Sequence, residues 1–183
     1  MPFEIQKGPL EGLLIIKPAV FKDARGYFKE TYRQNELYSA GIKENFVQDN
    51  LSFSQYGTLR GLHFQSPPHA QGKLVSVLYG RASDVVVDIR KSSPTYGQHF
   101  AIELDDENHL MFYVPPGFAH GFVVLSAQCI FSYKCTNYFN KESEGGLFWN
   151  DPALNINWNI QQPIVSEKDQ YYPILENFLS PFE

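Results

Sequence analysis

Asp84-Val85-Val86-Val87-Asp88-Ile89-Arg90 reads as one extended segment. Side chains alternate along a strand, so Val85, Val87 and Ile89 share one face and Asp84 and Asp88 the other. Upstream, Leu74 to Tyr79 forms a strand that ends at Gly80. Downstream, the turn cluster Ser92-Ser93-Pro94-Thr95-Tyr96-Gly97 precedes further strands at His99 to Leu104, Leu110 to Val114, Phe122 to Ser126 and Gln128 to Phe139. Short strands separated by turn signals point to an all-β sandwich or barrel. Nearer the N-terminus, Leu13 to Ile16 is a short strand ended by Pro18, and Asp23-Ala24-Arg25-Gly26 is a turn leading into the alternating run Tyr27 to Tyr32. Gln34 to Ala40 is the best helix, closed by Gly41. Phe46 to Asn50 is followed by a polar serine-rich link, and the sequence turns loop-like after Asn140. Ser166-Glu167-Lys168-Asp169 has the form of a capping-box start for a short helix. With no repeat, low-complexity tract or linker, residues 1–183 read as a single domain.

The chain of 183 residues is long enough to bury a real core, and 43% hydrophobic and 15% aromatic residues mark a globular protein. A formal charge of −5 argues against nucleic-acid binding, which needs a basic surface to displace counterions. No apolar run approaches the ~20 residues that span a bilayer, and the N-terminus lacks a signal-peptide pattern. Cys129 and Cys135 lie in one expected strand, roughly 20 Å apart at ~3.3 Å per residue and beyond disulfide reach. A reduced, cytoplasmic protein is expected.

Chemistry concentrates in Leu59-Arg60-Gly61-Leu62-His63-Phe64-Gln65 and Ala70-Gln71-Gly72-Lys73-Leu74-Val75. Strict alternation puts Leu59, Gly61, His63 and Gln65 on one face and Arg60 on the other, unless Gly61 marks a bulge. A lone strand histidine is often structural. Lys73 tilts the reading towards a site for anions and protons, because lysine is almost never buried unpaired.

Pro115-Pro116-Gly117-Phe118-Ala119-His120-Gly121 resembles a cupin motif, a turn between strands of a jelly-roll barrel. The other cupin motif would supply a His-x-His pair and a glutamate; here the corresponding place reads His63-Phe64-Gln65 with no glutamate after it. His63 and His120 alone fall short of the three or four ligands of a transition-metal site, so a barrel without metal or other cofactor is expected. Val47-Gln48-Asp49-Asn50, the Leu59-to-Gln65 and Ala70-to-Val75 stretches, Gly117-Phe118-Ala119-His120-Gly121-Phe122, Trp149-Asn150-Asp151-Pro152 and Ser166-Glu167-Lys168-Asp169 together resemble the dTDP-4-dehydrorhamnose 3,5-epimerase family. The resemblance runs over nearly the whole chain, in the family's order. It implies a cupin-type jelly-roll barrel with short peripheral helices.

The activity implied is inversion of C3 and C5 of a dTDP-linked 4-keto-6-deoxyhexose. The C4 ketone acidifies the protons on both neighbouring carbons, and an imidazole, unperturbed near ~6.5, accepts and releases protons at neutral pH. By the resemblance His63 is the base and Asp169 its carboxylate partner, with Asp84 the alternative. Lys73 and His120 lie near the C4 oxygen, where a donor stabilises the enolate. Tyr133 is the acid on the opposite face. On the residues alone it reads as barrel filler, sharing a strand face with Phe131 and Cys135. Arg25 and Arg60 correspond to diphosphate ligands, Gln48 and Asn50 to amide contacts, and Phe28, Glu30 and Tyr138 to positions around the nucleoside, with Lys168 also reaching the ligand. The Arg25-to-Glu30 segment contributes to the partner subunit's site in the family, implying a homodimer. One departure stands out: the family often carries an arginine where this chain reads Glu142-Ser143-Glu144-Gly145-Gly146. Other readings are an epimerase acting on one centre only, a sibling 3,4-ketoisomerase, a metal-dependent cupin dioxygenase, and a non-catalytic sugar-nucleotide-binding module.

Overall fold

A computed structural model describes residues 3–183. Twelve strands supply most of the architecture: β1 (Glu4–Lys7), β2 (Leu14–Lys17), β3 (Val20–Asp23), β4 (Gly26–Lys29), β5 (Gln48–Gln55), β6 (Thr58–Gln65), β7 (Lys73–Tyr79), β8 (Arg81–Asp88), β9 (His99–Asp105), β10 (Met111–Val114), β11 (Phe118–Val124) and β12 (Gln128–Cys135). Two shorter ones follow, β13 (Glu144–Gly146) and β14 (Ile164–Val165). One sheet runs β1-β2-β10-β7-β12-β5, and the facing sheet runs β13-β6-β11-β8-β9 with β14 added parallel to β6. Together they close the jelly-roll barrel that the family resemblance implied. Among the described residues β3 and β4 pair only with each other, as a separate hairpin.

Three apolar layers follow from the alternation of side chains. Val75, Val77, Val86, Phe112, Phe122 and Phe131 fill the interior, where the rings of Phe122 and Phe131 stack at 4.0 Å. Val85, Val87 and Ile89 lie on the other face of β8 and are covered by Leu147, Leu154, Trp158 and Phe182 of the C-terminal segment. Helix α1 (Gln34–Ser39) brings Leu37 onto Ile16, Leu74 and Met111 at the back of the first sheet, and Gly41 follows its cap with φ +103°.

Several boundaries differ from the sequence expectation. The serine-rich link is strand: Ser52 and Ser54 lie within β5, paired throughout with β12. Its serines face inwards, so the segment lacks the apolar inner positions that announce a strand. The run Tyr27 to Tyr32 stays extended only as far as Lys29, where the two-stranded hairpin ends. Phe118-to-Gly121, read as a turn, already belongs to β11, while β12 stops at Cys135. The expected helix after Ser166 is one 3-10 turn, Lys168–Gln170, although Ser166 Oγ does accept from the Asp169 N–H at 3.2 Å.

Asp88, fully buried at the end of β8, anchors the Ser92-to-Gly97 turn. It accepts from Arg90 Nε and Nη2 at 2.9 and 2.7 Å and from the hydroxyls of Ser93 and Thr95, each at 2.6 Å. Burial opposes its charge, but these bonds outweigh burial and bring its pKa down to about 2. An ordinary aspartate titrates near ~3.9, so the stabilisation is complete above that pH and is lost as pH falls towards the folded value. Asp88→Asn should therefore cost about 1–2 kcal/mol at neutral pH, with the gap to wild type narrowing in acid. Thermal melts at neutral and acidic pH check this; a gap independent of pH would mean that the charge is not the source.

Candidate functional site

The strands β6 and β11 touch backbone to backbone at two glycines. A Cβ on Gly61 would stand 2.5 Å from Gly121 Cα, and one on Gly121 would stand 2.7 Å from the Arg60 carbonyl oxygen. The pairing register shifts there: His120 opposes His63, but Phe122 opposes Arg60. One residue is thus inserted at Gly61, whose φ of +139° suits only glycine. Strict alternation fails as a result. Leu59, Leu62 and Phe64 pack outwards under the C-terminal segment, while Arg60 and His63 line the same cavity.

That cavity, about 620 Å³, opens inside the barrel between the two sheets. His63 and His120 come from one sheet and Lys73 and Tyr133 from the other, with Asp169 and Lys168 at the rim supplied by the C-terminal segment. A smaller cavity of about 280 Å³ continues from it, sharing His63, Lys73 and Tyr133 and adding Gln48 and Asn50.

His63 Nε2 lies 2.6 Å from Asp169 Oδ1, and the Gly61 N–H donates to Asp169 Oδ2 at 3.3 Å. A carboxylate only accepts, so Nε2 carries the proton and Nδ1 is the basic nitrogen of the neutral ring. Burial works against the charge on Asp169, yet the bonds from His63 and Gly61 prevail and hold its carboxyl below the usual range. Asp84 is engaged elsewhere: its Oδ2 accepts from His120 Nε2 at 2.8 Å. Of the two carboxylates considered for His63, the geometry selects Asp169. Burial raises the Asp84 carboxyl despite His120 and Lys73, and its Oδ1 has no hydrogen-bond partner among the described residues.

Desolvation pulls the Lys73 ammonium below its ordinary range, against the charges of Cys135, Asp84 and Glu144. Its Nζ sits 6.0 Å from the centroid of the Tyr133 ring. Burial raises the Tyr133 phenol, with Arg60 acting in the opposite sense. Tyr133 therefore keeps its proton at neutral pH. The arrangement brings together a carboxylate-oriented imidazole, a protonated phenol on the facing sheet, and the Lys73 amine beside the His120–Asp84 pair deeper in the barrel. It can take a proton from a bound carbon acid and return one from across the cavity.

Other expected residues lie elsewhere. Arg25 and Phe28 sit on the exposed β3–β4 hairpin, where Arg25 pairs with Asp23 at 2.6 Å, and Glu30 pairs with Arg33. Tyr138 is exposed and lines neither cavity, although its neighbour Phe139 does. Glu144, which the sequence reading passed over, enters the cavity and pairs with Lys168 at 2.6 Å. The two glycines after it are sterically required. A Cβ at 145 would meet the Phe64 ring at 2.4 Å, and one at 146 the Leu62 carbonyl at 2.6 Å. Ser52 was also missed: its Oγ is buried without a partner among the described residues, and the residue lines the cavity. Among the described residues no three His, Cys, Asp or Glu side chains converge on one point, and no helix is long and apolar enough to cross a membrane.

Known proteins share this arrangement of sequence and fold. The family model described as dTDP-4-dehydrorhamnose 3,5-epimerase matches residues 7–177. A dTDP-4-dehydrorhamnose 3,5-epimerase of Methanothermobacter thermautotrophicus is 46% identical over 179 residues, covering 96% of each chain. The crystal structure of the enzyme of that name from Elizabethkingia anophelis superposes with a TM-score of 0.92 at 52% identity, over 97% of this chain and 98% of the other. A dTDP-6-deoxy-D-glucose-3,5-epimerase from Legionella pneumophila, solved in complex with dTDP-4-keto-L-rhamnose, gives 0.92 at 46% identity, over 96% and 94%. With its fold and almost its full length shared with these enzymes, the chain belongs to the dTDP-4-dehydrorhamnose 3,5-epimerase family.

Proposed function

We propose that this chain, acting as one domain, epimerises C3 and C5 of dTDP-4-keto-6-deoxyglucose to give dTDP-4-keto-L-rhamnose. The observation that carries the mechanism is the placement of His63 and Tyr133 on facing sheets of one cavity. His63 Nδ1 removes the proton from a carbon beside the ketone, and Asp169 stabilises the imidazolium that forms. The electrons move onto the C4 oxygen, where Lys73 donates to the developing enolate in the pocket it shares with His120. Tyr133 then returns a proton to the carbon from the opposite face, inverting it. Once His63 has released its proton to solvent and Tyr133 has regained one, the same cycle at the second carbon completes the reaction. Arg60, Lys168, Gln48 and Asn50 bind the nucleotide diphosphate around the cavity mouth.

The Arg25-to-Glu30 segment completes the site of a partner subunit in a homodimer. Its separation from this chain's own cavity supports that assignment, as does the exposure of Phe28 and Tyr27 on the hairpin. Tyr138, equally exposed, stacks near the nucleotide base. The enzyme works in the cytoplasm, in keeping with the free cysteines Cys129 and Cys135.

Three outcomes test this reading. In deuterated water, dTDP-4-keto-6-deoxyglucose should acquire label at both C3 and C5; label at C3 alone would reduce the enzyme to a single-centre epimerase. His63→Asn should slow exchange at both carbons by about 10²–10⁴-fold. Tyr133→Phe should keep the fold and continue exchanging substrate hydrogen while forming little inverted product, because only the second proton donor is lost. Epimerisation within a few-fold of wild type in a well-folded Tyr133→Phe protein would return that ring to the role of barrel filler.

The shared site has its own check. Neither His63→Asn nor Arg25→Ala alone should epimerise efficiently, but mixing the two after subunit exchange should restore activity. Each heterodimer then carries one site with both lesions and one with none. Failure to restore activity in a sample shown by mass spectrometry to contain heterodimers would place Arg25 outside the partner's site.

A further inference from the structure

The inward-facing positions of β5 are Gln48, Asn50, Ser52 and Ser54, whereas Asp49, Leu51, Phe53 and Gln55 face outwards and are exposed. Ser54 is the deepest of these, 4% exposed, and its Oγ accepts from Arg60 Nε at 3.2 Å. β5 and β6 belong to different sheets, so this bond spans the corner where the chain crosses at Tyr56 and Gly57. Arg60 is held at its other end by the backbone contact with Gly121. A guanidinium presents its donors in a rigid planar fork. With Nε tied from behind, the edge carrying Nη1 and Nη2 is left for an anion. No carboxylate pairs with Arg60 among the described residues, and the residue lines the cavity.

We propose that Ser54 is a positioning residue, which holds Arg60 through Nε so that its terminal nitrogens meet the diphosphate of the bound nucleotide sugar. It never touches the ligand. It spares Arg60 the loss of rotamer freedom that an untethered arginine undergoes on closing over a ligand. The inference rests on Arg60 as a diphosphate ligand, as proposed above.

Calorimetry with dTDP tests it on wild type, Ser54→Ala, Ser54→Thr, Arg60→Ala and the Ser54→Ala/Arg60→Ala double variant. Loss of one hydrogen bond to a charged group should weaken dTDP binding about tenfold in Ser54→Ala. Ser54→Thr keeps the hydroxyl and should bind within about threefold of wild type. In the Arg60→Ala background the serine change should have no further effect, because a residue that acts through another loses its influence when that other is gone. In turnover, KM should rise while kcat stays within about twofold, the pattern of uniform binding. An equal loss in both backgrounds, or no loss in Ser54→Ala while Arg60→Ala binds weakly, would overturn the positioning role. Wild type and Arg60→Ala binding dTDP equally well would instead remove Arg60 from the diphosphate site, and this inference with it. Should the alanine variant fail to fold, Ser54→Cys repeats the test with similar volume and a poor acceptor.

Discussion

Two glycines that let β6 and β11 meet backbone to backbone govern the site. Any side chain at Gly61 or Gly121 would push the strands apart, since the gap at each is under 3 Å for a β-carbon. Closing that gap inserts one residue into β6. The insertion turns Arg60 and His63 into one cavity while Leu59, Leu62 and Phe64 keep their places in the outer apolar layer. It also frees the Gly61 N–H from the sheet ladder, and Asp169 takes it up. One steric condition thus brings Arg60 and His63 into the same cavity and seats Asp169 beside the imidazole.

The two histidine–carboxylate pairs differ in kind. Asp169 accepts at both oxygens and favours its charged form, so it suits an imidazole that must gain and lose a proton. Asp84 lies at the fully buried end of its pair, with one oxygen unpartnered and burial opposing its charge. His120 beside it is held deeper in the barrel, in the company of Lys73. A low-dielectric floor with fixed donors is where charge developing on a ketone oxygen is best stabilised. The difference between the pairs comes from burial and bond count, since the side-chain types are the same.

Much of this was legible in the residues. The alternation from Asp84 to Arg90 separates outer valines from inner aspartates, and the resemblance points to His63, Tyr133 and Asp169, which the structure brings around one cavity. What escaped had physical causes. Ser52 and Ser54 read as a link because a strand whose inner face serves a polar cavity lacks the apolar alternation by which strands are recognised. The offset of Arg60 and His63 depends on a two-strand contact that β6 alone does not encode, although Gly61 signalled it. Glu144 enters the cavity through pairing of β13 with β6, a contact between residues far apart in the chain. A local reading has no access to such pairings.

The carboxylate that orients His63 arrives 106 residues later in the chain. A ribosome releases β1 to β12, the two facing sheets almost entire, before it reaches Ser166. β14 adds to the edge of β6, and the turn after it carries the only carboxylate bonded to His63 among the described residues. The carboxylate that fixes the imidazole is thus among the later parts of the barrel that synthesis supplies. The same C-terminal segment covers the outer apolar layer with Leu147, Leu154, Trp158 and Phe182. A chain ending before Leu147 lacks both this apolar cover and the carboxylate beside His63, so one segment closes the outer layer and completes the cavity wall.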